Sequence, residues 1–318
     1  MLFAVNALVV GEASRRGSYG DGFLVALVVN TVVAAGIVAV EAAMGGLGGW
    51  DRAALVFFFL GGVFSTYLGR LLFWITVVGM GPSRATAFQI TQPLFASVLA
   101  LAFLGQRLAA VEIAFMLLAL GGLGLVNRSR QRVSVDPMPA RDSTPPGHDQ
   151  PPRPPTRSDG GLLATLRRLH GGGWRQHVVL VAIGSGLAYG AANVLRGGAI
   201  ARWNEPFVGS FLGAFAGLVC YVAFHVRPGE VVALMRTLDR RALRLFGLSG
   251  LLSILAQTAS IASLRFLPVG IANMFAVSVP IVVVPLSVLL LGNREGVSRL
   301  TAVGVLLTWA AVVGLVVV

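Results

Sequence analysis

Tyr67, Arg70 and Trp74 recur at i, i+3 and i+7 within the otherwise apolar stretch from Ala54 to Val78, so one helix would present all three on a single face. A guanidinium held there suits a carboxylate or phosphate, which it grips through two parallel hydrogen bonds. Snorkelling competes with that reading, because Arg70 lies beyond the middle of its stretch and is long enough to reach lipid headgroups. Gln89 and Gln92, three apart, put two amides on one side just before Pro93. Such amides line a pathway or join helices by hydrogen bonds. Tyr189, Asn193 and Arg196 again share one face, with Tyr189 and Asn193 as lining candidates and Arg196, near a helix end, read as snorkelling. A further series comprises Ser249, Ser253, Gln257, Thr258 and Ser260, followed by the weaker candidates Asn273 and Ser278.

Other chemistries find little support. The motifs Gly-x-Ser-x-Gly, His-Glu-x-x-His and Gly-x-x-x-x-Gly-Lys do not occur, and no carboxylate pair sits within one apolar stretch. The expectation is therefore no enzyme, no metal, no cofactor and no ATP-driven step. Glu41 and Glu112 fall near helix ends and Glu205 in a loop, so none is an obvious proton carrier in mid-membrane. His177 and His225 also stand at stretch ends. Coupling stays open between facilitation, exchange and a substrate's own charge. The single Cys220 excludes an internal disulfide and a cysteine metal cluster.

These side chains need elements to hold them, and composition names the class. Of 318 residues, 56% are hydrophobic and 12% charged, with a mean hydropathy of +0.81. Those values describe an all-α polytopic membrane protein, in which about 20 apolar residues make each crossing. Spans are expected near Phe23 to Val40, Ala54 to Val78, Ser83 to Leu104, Ala109 to Val126, Val178 to Ile200, Pro206 to Phe224, Leu243 to Phe266, Pro268 to Leu291 and Ser298 to Val318. Met1 to Val10 is apolar but too short to cross, and it lacks the basic start and small-residue cleavage site of a signal peptide. It reads as the tail of a truncated first helix.

A repeat organises the whole. Gly81 to Leu108 is echoed 187 residues later by Pro268 to Glu295, and the same offset pairs Phe88 with Phe275, Pro93 with Pro280, Asn6 with Asn193 and Arg70 with Gln257. Pro93 and Pro280, each removing one backbone hydrogen bond, are expected to kink matching helices. The reading is a ten-helix bundle, nine complete plus the truncated first, made of two inverted five-helix repeats. Residues 1–126 form the first repeat and 177–318 the second. Between them, 127–176 is a linker rich in Arg and Pro that cannot bury enough apolar area to fold alone, with a short surface helix or a helix extension around Leu162 to His170.

All 25 basic residues are Arg, and the net charge is +12. They concentrate in alternate loops, which predicts a cytoplasmic linker and an outside C-terminus. No soluble basic fold accompanies them, so nucleic acid is not an expected partner. Gly121, Gly122 and Gly124 permit close backbone approach and point to helix packing or a homodimer.

The paired hairpins resemble the EamA-type family of the drug/metabolite transporter superfamily. The resemblance rests on Gly81-Pro82-Ser83-Arg84-Ala85, Leu104-Gly105-Gln106-Arg107, Leu267-Pro268-Val269-Gly270 and Leu291-Gly292-Asn293-Arg294. The family usually has Gly-Glu at the two exits, where this chain has Gln106 and Asn293. The resemblance implies a multi-pass plasma-membrane transporter with a cavity between its halves and both termini in the cytoplasm, the last point contrary to the charge pattern. Its substrates would be small metabolites or drugs, moved by alternating access and outward, and Arg70 without an intramembrane carboxylate tilts the expectation toward anionic ones such as amino or organic acids. A non-transporting scaffold or an intramembrane enzyme is the alternative.

Overall fold

A computed structural model describes residues 2, 5, 6, 9, 19–80, 85, 88–133, 174–225, 240–278 and 299–317. Pro280, the Leu291-Gly292-Asn293-Arg294 exit and the surface helix expected in the linker lie outside the described residues. All regular structure among these residues is helical, and the protein is an all-α polytopic membrane protein. Helix α1 is Tyr19–Ala43 and α2 is Arg52–Gly62; a π-helical turn, Val63–Gly69, joins α2 to α3, Arg70–Met80. Then follow α4 (Gln92–Leu104), α5 (Ala110–Val133), α6 (Trp174–Arg202), α7 (Pro206–His225), α8 (Arg240–Ser263), α9 (Val269–Val277) and α10 (Arg299–Val317). Five described stretches are long and apolar enough to cross a bilayer: Gly22–Ala43, Arg52–Val77, Val178–Arg202, Pro206–Phe224 and Arg240–Ser263.

The ends are set locally. Asp51 caps α2 by accepting the Ala54 N–H at 2.9 Å, and Glu112 accepts the Ala109 N–H at 2.6 Å at the start of α5. Gly105 ends α4 in the left-handed region at φ 66°, where a Cβ would be strained. Gln106, standing where the family usually has Glu, then accepts the Val269 N–H of α9 at 3.0 Å and ties the two hairpins together. Helix α5 runs to Val133, past the expected linker start, through a stretch in which Arg and Gln, good helix formers, alternate with weaker ones.

Packing follows the repeat. Helices α1 and α7, equivalent under the 187-residue offset, lie against each other, as do α5 and α10; α4 packs on α9. Contact between α1 and α8 is mirrored by contact between α7 and the α2–π segment. The halves are inverted. Asp51 at the start of α2 pairs with Arg202 at 3.3 Å, and Arg265, just after the end of α8, bonds Asn204, so equivalent helices present opposite ends to the same turn.

Apolar clusters fill the spaces between these pairs. Phe58, Ile200, Trp203, Val208 and Ile261 form one near the Trp203 end, and Met116, Leu123, Ile271, Met274 and Leu315 form another under α5 and α10. Of the three small residues singled out in α5, Gly122 meets Gly304 and Thr308 of α10, whereas Gly121 and Gly124 face open space. Outward side chains such as Val98, Leu101, Leu117, Leu306 and Val313 are exposed, as a lipid-facing surface requires.

Candidate functional site

Helix α6 is the axis of the site. Its Ser185, Tyr189, Asn193 and Arg196, spaced four, four and three apart, fall on one face and extend over ~16 Å of helix at 1.5 Å per residue. Each meets the rest of the protein through polar or glycine contacts. Ser185 donates to the Gly69 carbonyl at the end of the π turn at 2.9 Å and accepts from Gln89 Nε2 at 2.9 Å. Gln92 Nε2 in turn donates to Gln89 Oε1, so the two amides expected on one side do stand together. Tyr189 lays its ring where a side chain on Gly69 would be, 3.1 Å from that position. Asn193 Nδ2 donates to Asn273 Oδ1 at 3.0 Å, joining α6 to α9.

Arg196 differs from its sequence reading. It is only 7% exposed, and its Nη2 donates to Ser65 Oγ at 2.7 Å across the seam between repeats. The correction has a simple cause. Side chains tilt towards the N-terminus of their own helix, so an arginine six residues before the end of α6 points inward to the bilayer, not outward to the headgroups. That direction was available from the sequence. Ser65 itself donates to the Gly61 carbonyl at 2.8 Å, within a segment rearranged by the π turn, a feature that recurs at functional sites.

The surroundings of Arg196 are nearly charge-free. Among the described residues Ser65 is its one hydrogen-bond partner, no carboxylate pairs with it, and its Nε is buried without a partner. Gln257 Nε2 is likewise buried and unpartnered. Both groups converge on Gly213 of α7, where a Cβ would lie 3.1 Å from Gln257 Nε2 and 3.4 Å from Arg196 Nη2. Gly61 on the other side leaves a similar clearance of 3.1 Å to Arg196 Cγ. A buried guanidinium without a counter-charge is costly, which is why such groups mark functional positions inside membranes.

Arg70 sits elsewhere. Its guanidinium lies 4.4 Å over the ring of Phe23, which meets Tyr221 edge-on at 5.0 Å, and Tyr67 stacks on Phe224 at 5.6 Å. This aromatic group lies at the Phe23 end of the bundle, opposite Trp203. Arg70 and Tyr67 are thus near one another but apart from the Arg196 seam. Trp74 lies on the backbone of α3. Pro93 is buried in the first turn of α4, and the chain turns two residues earlier, at Ile90 and Thr91. Proline has no N–H to offer the Gln89 carbonyl four residues earlier, and the interruption falls in that turn, just before Pro93.

At the Trp203 end the seam is closed. Trp203 is buried and its ring lies 5.7 Å from that of Trp50, Gly48 N–H reaches Glu205 Oε1 at 3.4 Å, and the Asp51–Arg202 pair spans the two repeats. Asp51 lies outside the membrane-crossing stretch. The Ala54 N–H, helped by Arg202, holds its carboxyl below the usual aspartate value against the opposing effect of desolvation.

No curated protein matches the chain in sequence. Solved structures do: 28 chains match. One of them, a crystal structure of a protein, is 14% identical and aligns at a TM-score of 0.58 over 99% of this chain and 96% of its own. At that identity the likeness shows the fold alone. Residues 2–128 match the model of the EamA-like transporter family, a member of the drug/metabolite transporter superfamily, so the first repeat of this chain is similar to those membrane transporters.

Proposed function

We propose that the protein is a secondary transporter of the plasma membrane that exports small polar metabolites or drugs, a class that includes amino and organic acids, by alternating access. The observation that carries this reading is the seam itself. Polar groups of α6 meet polar groups of the first repeat in two places, Ser185 with Gln89 and Gly69, and Arg196 with Ser65. Inverted repeats put a shared site near the middle of the bilayer, and rocking one half against the other opens it to each side in turn. In this reading the chain catalyses no reaction, and the bilayer is its structural partner.

Export is the direction this reading takes, and the sealed end of the bundle supports it. Trp50, Trp203 and the Asp51–Arg202 pair close one end, while Arg70 and its aromatic neighbours occupy the other. The arginine-dense loops lie on the Arg70 side, which the positive-inside rule makes cytoplasmic. In this conformation the seam is closed to the far side, and in this reading loading is from the cytoplasm. The test is metabolite profiling of cells with and without the protein: export predicts that specific pools fall inside and rise outside. Unchanged pools on both sides would count against transport.

A further inference from the structure

We propose that Arg196, with Ser65 as a placeholder while the two repeats lie together, is the anion subsite, and that it takes the carboxylate of a small monoanionic organic acid. The inference rests on the transport reading above and names the substrate class of that same seam.

Arg196 is more than nine-tenths buried, yet its Nε has no partner and its Nη2 is satisfied only by the neutral hydroxyl of Ser65 at 2.7 Å. The unpartnered Nε and the Nη2 form the edge of the guanidinium that fits a carboxylate bidentately, with two parallel N–H donors matching two oxygens. Ser65 belongs to the first repeat and Arg196 to the second, so parting the halves withdraws the hydroxyl and frees that edge. Gln257 Nε2, also buried and unpartnered, stands beside Gly213 with Arg196 Nη2 and supplies a second neutral donor.

The rest of the neighbourhood decides the class. The other groups along the α6 face are the amide of Asn193, with Asn273 of α9 against it, and the hydroxyls of Tyr189 and Ser185, and no described carboxylate pairs with Arg196. One fixed positive charge balances one carboxylate and leaves a second one buried without a counter-ion. A zwitterion's ammonium would find no acidic partner among these groups. Hydroxyl or carbonyl substituents find the neutral donors and acceptors. The fit is therefore a hydroxy- or keto-monocarboxylate, ahead of a dicarboxylate, an amino acid or an uncharged amide.

The test uses the full chain reconstituted in liposomes, with radiolabelled lactate, its amide lactamide, malate and alanine as probes. Wild type is expected to move lactate at least ten-fold faster than the other three. Arg196→Gln should abolish that preference, and Arg196→Lys, which keeps the charge but loses the fork, should raise KM for lactate with maximal rate kept. Ser65→Ala should lower KM, because the hydroxyl no longer competes for the guanidinium; a merely structural Ser65 would not do so. Lactate flux unchanged in Arg196→Gln, or a wild type that prefers lactamide, malate or alanine, overturns the subsite while leaving transport standing. If Arg196→Gln elutes as aggregate, the Lys and Ala variants decide alone. Failure of wild type to move any probe, together with unchanged metabolite pools in cells, overturns both readings.

Discussion

Gly209 of α7 lies beneath the ring of Phe58 of α2, so close that a Cβ on the glycine would come within 2.5 Å of a ring carbon. The same relationship holds at its repeat mate: Gly22 of α1, 187 residues earlier, lies under the ring of Phe246 of α8. Each repeat thus offers a glycine from its second helix to a phenylalanine from the third helix of the other. Gly209→Ala is expected to destabilise the protein by about 1–3 kcal/mol through overpacking, and Gly22→Ala similarly. Thermal unfolding in detergent reads this directly. An unchanged midpoint for both variants would show that the rings yield without cost and that the mirrored contact is not a fixed joint.

How far the sequence carries is visible at this joint. The offset that pairs Gly22 with Gly209 is readable from the chain, as are the apolar stretches, because both depend only on residue type and order. What the glycines touch is not, since ring placement depends on how helices cross. The same division runs through the site. Gln89 and Gln92 meet although the turn at Ile90 and Thr91 separates them, because three residues of a single tight turn keep the two amides on one side, and Asn193 follows from the face of α6. The Arg196–Ser65 bond required knowing which helix faces α6, and the π turn that rearranges the Ser65 segment has no sequence period of its own. Proline position gives an interruption near Pro93, and the local hydrogen bonds add its exact place, the turn at Ile90 and Thr91.

Adjacent glycines of α5 are predicted to respond with opposite sign. A Cβ on Gly122 would lie 2.7 Å from the Gly304 carbonyl and closer still to the Thr308 hydroxyl, backbone and buried groups that have little room to give. Gly122→Ala should therefore loosen the contact between α5 and α10 and lower the unfolding temperature. Gly121 has open space around it, so Gly121→Ala gains helix propensity, about 0.5–1 kcal/mol, with nothing to clash. Measured side by side, a loss at Gly121 or a gain at Gly122 would contradict this packing.

Asp51 links the α2 cap to the opposite repeat through Arg202. Its carboxyl is depressed in the folded protein, first by the Ala54 N–H, so the charged form is favoured by folding. The sign follows: its stabilisation is complete above the ordinary aspartate value of 3.8 and is lost as pH falls through the lower folded value. Between neutral pH and pH 3, wild type should lose more unfolding temperature than Asp51→Asn, which keeps a capping side chain without the titration. Asp51→Ala should be the least stable at neutral pH. Equal pH profiles for wild type and Asp51→Asn would exclude this contribution.

Arg70 poses the sharpest question about the pathway, because the same side chain serves two different roles in two different readings. Its guanidinium over Phe23 is a cation–π contact, worth about 0.5–1 kcal/mol where exposed and about 2 where desolvated. If that is all it does, Arg70→Ala lowers stability and leaves transport alone, and Phe23→Leu does the same. If it guides anions from the cytoplasmic end towards the seam, Arg70→Ala raises KM several-fold with maximal rate nearly unchanged, because it is lost from binding and not from the rocking step. The guiding role also makes flux in the wild type fall as salt rises, since attraction between an accessible charge and a free anion is screened beyond ~8–10 Å. Arg70→Ala should then be insensitive to salt. We expect the KM effect and the loss of salt dependence together, measured in liposomes with the full chain. Normal KM in Arg70→Ala for every transported substrate would remove Arg70 from the pathway and leave it as the partner of Phe23.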